Sequence, residues 1–317
     1  MIQGKKILVI GGTGSLGKKI CDLMARQNNI AVYSRDEQKH WGFKTRYTGR
    51  IKSYVGDIRD FDTLRFALLD FKPNIVINAA AMKHVDYCES FPEQSILTNV
   101  NGVNNLVRIC GEIARSDSWL ETVLQVSTDK ATMPLNVYGM CKAIAERIVT
   151  SKIKIRNTKF IGVRYGNVLE SNGSVIPLFK KQSEEKDCIT LTDENMTRYI
   201  MTLKESVDLI CNAIENASPG EIFIPKLKAM RISDLAEIFS VKSGKPIKVI
   251  GIRPGEKIHE SLLSLEESIR AYEKNGVIAL RNSLSKQLNS NVFQMSSNQN
   301  ILDIEDLQEL LISYGIL

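Results

Sequence analysis

The chain has 317 residues, 43% hydrophobic and 25% charged, with 8 Pro and 20 Gly, proportions that exclude a disordered, collagen-like or coiled-coil chain. With 42 basic and 36 acidic side chains the formal charge is +6, interspersed rather than massed in a tail, so phosphorylated small molecules suit it as well as nucleic acid does. Six well-separated cysteines and three histidines (His40, His84, His259) exclude a zinc ribbon or a disulfide framework and read as buried free thiols, with no metal site.

The N-terminal apolar run is too short for a signal peptide, and no run of about 18 apolar residues could span a bilayer, so a soluble, cytoplasmic protein is expected. The first two-thirds alternate short β-branched runs with helical patterns. Strands are expected at 6–10, 30–33, 51–54, 75–78, 122–126 and 159–163, and helices near 15–27, 60–70, 92–114 and 138–155. Strands separated by such helices imply βαβ units and an α/β fold, a Rossmann-type doubly wound parallel sheet. From about residue 166 the rhythm is less regular. A helix near 204–217, a strand at 221–225, a helix near 232–243 and a strand at 247–250 suggest a smaller C-terminal α/β lobe. The expected division is a nucleotide-binding domain over 1–165 and mainly a substrate lobe over 166–317, some segments of which pack back on the first domain. Residues 283–300, rich in Ser, Asn and Gln, read as a surface loop. Asp303 then caps a last helix whose Ile304, Leu307, Leu311 and Tyr314 share a face that docks on the body.

Directly after the first strand stands Gly11-Gly12-Thr13-Gly14-Ser15-Leu16-Gly17. Glycines here allow a tight turn and close approach of backbone to a pyrophosphate at a helix N-terminus, where free N–H groups favour an anion. Gly11, Thr13, Gly14, Ser15, Leu16 and Gly17 are therefore candidate dinucleotide residues. At the tip of the second strand, Ser34 and Arg35 suit the 2′-phosphate of NADP, whereas Asp36 would suit the ribose of NAD; NADP is expected. Asp57 and Ile58 follow the third strand, where Asp57 is placed to bond the adenine. Asn78-Ala79-Ala80 ends the fourth strand with side chains small enough for backbone to lie against a cofactor.

Thr128 closes the next strand, and Tyr138 and Lys142, at i and i+4, share one face of the helix that follows. A neighbouring ammonium and a positive nicotinamide favour the phenolate, so Tyr138 is a candidate base, with Thr128 bonded to the oxygen being oxidised.

The chain resembles the extended short-chain dehydrogenase/reductases acting on nucleotide sugars, and more closely the inverting UDP-N-acetylglucosamine 4,6-dehydratases of bacterial surface-glycan pathways. The stretches that carry the resemblance are GGTGSLG, YSRDE, GDIRD, NAAAMKHV, STDKA, NVYGMCKA, VRYGNV, GSVIP, MTRY and IRPGEKIHE, in order over residues 11–260. A 4-epimerase of this family needs only the hydroxyl, Tyr and Lys, while a dehydratase also removes the C5 proton and expels the C6 hydroxyl. Dehydratases that retain C5 typically carry Thr-Asp-Glu, whereas the inverting ones carry Thr-Asp-Lys, as here in Thr128-Asp129-Lys130.

The resemblance implies that Tyr138 takes the C4 hydroxyl proton, that Lys130, as a neutral amine with a depressed pKa beside Lys142, abstracts the C5 proton, and that Asp129 protonates the leaving hydroxyl. It also implies that Lys83 and His84 face the sugar and that Asn167, Arg198, Arg253 and Glu256 hold a uridine diphosphate, with His259 and Glu260 bracing that motif. It implies a homo-oligomer, a dimer or hexamer, acting on a UDP-sugar, without nucleic acid or membrane partners. Glu170-Ser171-Asn172 departs from the family's usual Gly-Ser-Arg. The rival readings are a UDP-hexosamine 4-epimerase, a C5-retaining dehydratase and a non-enzymatic NADP-sensing module.

Overall fold

A computed structural model describes residues 2–47, 50–152, 154–169, 173–282, 288 and 292–317. Its centre is a parallel sheet begun by β1 (Lys6–Ile10), β2 (Asn29–Ser34), β3 (Lys52–Val55), β4 (Ile75–Asn78) and β5 (Thr122–Thr128). The spatial order is β3-β2-β1-β4-β5, then Thr158–Tyr165 and Ile222–Pro225, all parallel, followed by the antiparallel strands Val277–Leu280 and Ala271–Lys274. Alternation along β1 shows why both faces are covered. Ile7 and Val9 enter one apolar cluster with Ile20 and Met24 of helix α1 (Ser15–Met24), while Leu8 and Ile10 enter another with Leu64 and Leu68 of α3 (Phe61–Phe71). Helix α2 (Glu37–Tyr47) lies between β2 and β3. Because β1 has β2 on one side and β4 on the other, the strand order reverses there, the switch point beyond whose carboxyl ends ligands bind in sheets of this kind.

Some elements differ from their expected form. The 92–114 helix is divided into Pro92–Ile96, a π-helical turn Leu97–Asn101 and Gly102–Ser116. Within that turn the Asn99 amide bonds both the N–H and the C=O of Met82, tying the helix to the loop after β4. Helix α2 was not expected, since its sequence is mostly polar and only His40 and Phe43 are buried. The helix Leu203–Asn216 and the strand Ile222–Pro225 belong to the central sheet and its α1 face rather than to the smaller lobe. A separate cluster, which includes Phe179, Ile189, Leu235 and Phe239, forms the core around Val175–Glu185 and Ile232–Ser243.

Residues 283–287 and 289–291 of the expected loop lie outside the described residues, and Met295–Ser296 is a short strand paired with Ser261–Leu263. Asp303 does cap Ile304–Ser313, accepting from the Asp306 N–H, and Leu307 and Leu311 are fully buried in the smaller cluster; Tyr314 is partly exposed. All six cysteines are free thiols, four of them buried. Among the described residues no helix is long and apolar enough to cross a membrane, and no His/Cys/Asp/Glu group is arranged to hold a metal ion.

Candidate active site

The glycine-rich loop turns from β1 into α1 with Gly14 as a helix N-cap that has no side chain to satisfy the first N–H groups. Gly11 has φ +78, and a Cβ there would stand 2.8 Å from the Ala80 nitrogen. The backbone at the end of β4 thus lies so close to this loop that only glycine fits at position 11. These features suit a dinucleotide pyrophosphate. Gly11→Ala is expected to cost about 1–3 kcal/mol in backbone strain and to weaken nicotinamide-cofactor binding more than tenfold, read by thermal unfolding with and without the dinucleotide.

At the β2 tip the Ser34 hydroxyl lies 2.9 Å from the Thr13 hydroxyl and 2.8 Å from Nε2 of His40, a buried residue of α2 whose place beside this strand end no sequence motif marks. Arg35 is exposed, with Asp57 at 3.8 Å. Asp36 pairs with Lys39 at 2.7 Å. The Asp57 carboxylate accepts twice from the Arg59 guanidinium, which helps hold it below the usual carboxylate range, so the side chain expected at the adenine is already engaged. Ile58 is buried in the core.

At the reactive end Asn136 caps the helix Val137–Ser151 by accepting from the Gly139 N–H, and its amide donates to the Gly255 carbonyl at 2.7 Å. A Cβ at Gly139 would overlap the Lys130 carbonyl, so the helix start sits directly on the turn Asp129–Ala131. Thr128 donates to Asp129 Oδ1 at 2.9 Å, and Lys130 Nζ donates to the same oxygen at 3.1 Å. Asp129 is fully buried, and its Oδ2 has no hydrogen-bond partner among the described residues. The Lys142 ammonium donates to the Val126 carbonyl, and burial lowers it to about 8.

Two electrostatic expectations are corrected. Burial pushes Tyr138 up to about 12, and the cation that opposes this is Lys130 rather than Lys142, helped by the Thr128 hydroxyl. Lys130 is held above its ordinary value instead of below it, because Asp129 and Glu260 flank its ammonium. Glu260, expected only to brace, places Oε1 3.2 Å from Lys130 Nζ; the two positions are 130 residues apart, and nothing in the sequence pattern joins them.

The residues expected around sugar and diphosphate are distributed as follows. Lys83 and His84 are exposed just beyond β4, where His84 immediately precedes the helix Val85–Ser90 and its ring leaves no room for a side chain at Gly173. Asn167 is half-buried opposite Ile200. Arg198 is buried, and its two terminal nitrogens donate to the carbonyls of Thr197, Lys257 and Ile258, so they clamp a chain segment rather than face a diphosphate. Arg253 and Glu256 pair with each other at 2.7 Å, leaving most of the Arg253 side chain exposed. Residues 170–172 lie outside the described residues.

The sequence matches the family described as "Polysaccharide biosynthesis protein" over residues 7–282. The chain belongs to that family. It is 37% identical to the UDP-N-acetylglucosamine 4,6-dehydratase (inverting) of Campylobacter jejuni serotype O:23/36, over 90% of this chain and 85% of that one. It is also 38% identical to the UDP-glucose 4-epimerase of Rickettsia bellii, over 86% of this chain and 81% of the relative. Among solved structures, Pen from Bacillus thuringiensis superposes with a TM-score of 0.91 at 33% identity, covering 99% of each chain. Family membership and this superposition agree with the doubly wound fold; the two named activities among the relatives leave the reaction to be argued from the site.

Proposed function

We propose that this protein is an NADP-dependent UDP-N-acetylglucosamine 4,6-dehydratase that inverts C5. The observation that carries this reading is the buried Asp129–Lys130 contact of 3.1 Å beside Thr128 and Tyr138. An epimerase that returns hydride to C4 has no use for this additional acid–base pair. The likeness to the Campylobacter dehydratase supports the same reading.

A bound nicotinamide dinucleotide supplies the hydride acceptor and, later, the donor. The chain's own groups handle protons. Tyr138 takes the C4 hydroxyl proton; its phenolate is favoured by the Lys130 ammonium and the Thr128 hydroxyl and opposed by burial. A single proton transfer from Lys130 to Asp129 turns the ion pair into a neutral amine and a carboxylic acid without changing the site's net charge. That tautomer provides both partners the elimination needs: the amine removes the C5 proton acidified by the C4 ketone, and the acid protonates the departing C6 hydroxyl. The resting protonation of Lys130 is thereby reconciled with its role as a base.

Incubation with UDP-N-acetylglucosamine in D₂O, followed by proton NMR, tests the proposal. A C6 methyl with deuterium at C5 and L-series couplings is expected. D-series couplings would remove the inversion, and the C4 epimer without a methyl would make the protein a 4-epimerase like its Rickettsia relatives. For the cofactor, the exposed Arg35 supports NADP. Arg35→Ala is expected to weaken NADP⁺ binding about tenfold or more, the scale of a lost charge-assisted hydrogen bond, and to leave NAD⁺ binding within about threefold, by calorimetric titration.

A further inference from the structure

We infer that Glu260 is the positioning residue for Lys130, the third member of a chain Asp129–Lys130–Glu260 that holds the amine toward the sugar and stabilises the ammonium formed when it takes a proton from carbon. The inference rests on the dehydratase reading above and adds to it a residue from a distant part of the sequence. Glu260 is 1% exposed, and its Oε1 lies 3.2 Å from Lys130 Nζ, which also meets Asp129 Oδ1 at 3.1 Å. Its other oxygen, Oε2, is buried without a hydrogen-bond partner among the described residues; Lys257 stands 3.8 Å away, with its own ammonium donating to the Thr132 carbonyl.

A buried carboxylate is costly to place, so its surroundings show what it is held for. The segment that presents Glu260 is fixed from three directions. Arg198 donates to the carbonyls of Lys257 and Ile258, Asn136 at the catalytic helix start donates to the Gly255 carbonyl, and Ser297 accepts from the Glu260 N–H while its own N–H donates to the Glu260 carbonyl. Arg198 and Asn136 thereby deliver the carboxylate to Lys130. The proton balance is direct. When Lys130 gives its proton to Asp129, Glu260 stays ionised and accepts a hydrogen bond from the neutral amine, fixing its lone pair. When the amine then removes the C5 proton, Glu260 faces the new ammonium, as the orienting group behind a general base does.

The test uses full-length Glu260→Gln and Glu260→Asp, each followed by C5 exchange with D₂O, methyl formation and KM for UDP-N-acetylglucosamine. Glu260→Gln keeps size and loses charge; it is expected to slow C5 exchange about 10- to 100-fold, with KM within about threefold, the scale of a lost charge-assisted hydrogen bond. Removing the negative charge favours the neutral amine, so the limb of the kcat profile that reports Lys130 moves to lower pH. Glu260→Asp keeps the charge at shorter reach, recovers part of the rate, and serves as the readable variant if the Gln protein does not fold. Exchange within threefold of wild type in Glu260→Gln, with an unmoved pH profile, would overturn the proposal and leave Glu260 as a brace. Wild-type protein that forms no methyl overturns the dehydratase reading itself, a result visible before any variant is examined.

Discussion

Lys130→Met is expected to lower methyl formation by about 10²- to 10⁴-fold, the usual contribution of a positioned acid–base group. The first oxidation, read as reduced nicotinamide absorbance in a single turnover, should also slow, because the ammonium that favours the Tyr138 phenolate is gone, but by less than methyl formation, because Thr128 and Tyr138 remain. The variant also carries a stability signature that a merely catalytic residue would lack. In the wild type, two buried carboxylates hold the Lys130 ammonium above its ordinary value. Its contribution is therefore complete below about 10.5 and is lost only as pH rises through the higher folded value. Methionine replaces the aliphatic stem and removes the charge, leaving Asp129 and Glu260 buried, with Lys257 3.8 Å from Glu260. Uncompensated burial of this kind costs about 3–5 kcal/mol. At least one carboxylate then binds a proton in the folded state that it would not bind in the unfolded chain, so the variant's stability falls as pH rises. Thermal unfolding at pH 5 and pH 8 should show a wild-type-to-variant gap that widens at the higher pH; an equal gap at both would show that the carboxylates are not facing an unfilled site.

What could be read along the sequence was what neighbouring residues encode. β1 and β4 are legible because each is a short apolar run bounded by turn residues and buried on both faces. Thr128-Asp129-Lys130 and the Tyr138–Lys142 pair are legible because strand end and helix pitch bring them together locally. Helix α2 is not, since its surface position leaves almost no apolar period. The hairpin of Ala271–Lys274 and Val277–Leu280 is locally encoded by its Asn-Gly turn: Asn275 and Gly276 both adopt positive φ, at 49 and 78, as a two-residue turn between strands requires. Glu260, Lys257 and Arg198 belong to another class. The motifs in which they stand mark Arg198 as a diphosphate ligand and Glu260 as a brace; only the tertiary fold sets Glu260 against the Lys130 ammonium, and no local pattern encodes a contact over 130 positions.

Arg164→Met is expected to be strongly destabilising and to disturb catalysis without touching substrate. Arg164 is 1% exposed, inside the sheet strand Thr158–Tyr165. Its guanidinium donates twice to Glu146 and twice to Glu267, and also to the Thr132 hydroxyl and the Leu262 carbonyl. Arg164 holds Glu267 below its ordinary value against the opposing effect of burial. Removing one partner of a buried ionic group costs about 3–5 kcal/mol, and at roughly 2–4 °C per kcal/mol the melting temperature should drop by about 10 °C. The sign of the pH effect follows from Glu267. A carboxylate depressed in the folded state contributes stability above its unfolded pKa, and this contribution is lost as pH falls through the folded value. The deficit of Arg164→Met should therefore be largest at neutral pH and shrink toward pH 4, where the stranded carboxylates are protonated. Adding Glu146→Gln and Glu267→Gln to the same chain should recover part of the loss at pH 7, because the uncompensated charges, and not the missing guanidinium alone, carry the cost. Glu146 stands one turn after Lys142 on the catalytic helix, and Thr132 follows the Asp129–Ala131 turn directly. One guanidinium thus joins the helix bearing Tyr138 and Lys142 to the turn bearing Asp129 and Lys130, so the single variant should lose turnover even at temperatures where it remains folded, and the triple variant should regain stability ahead of activity.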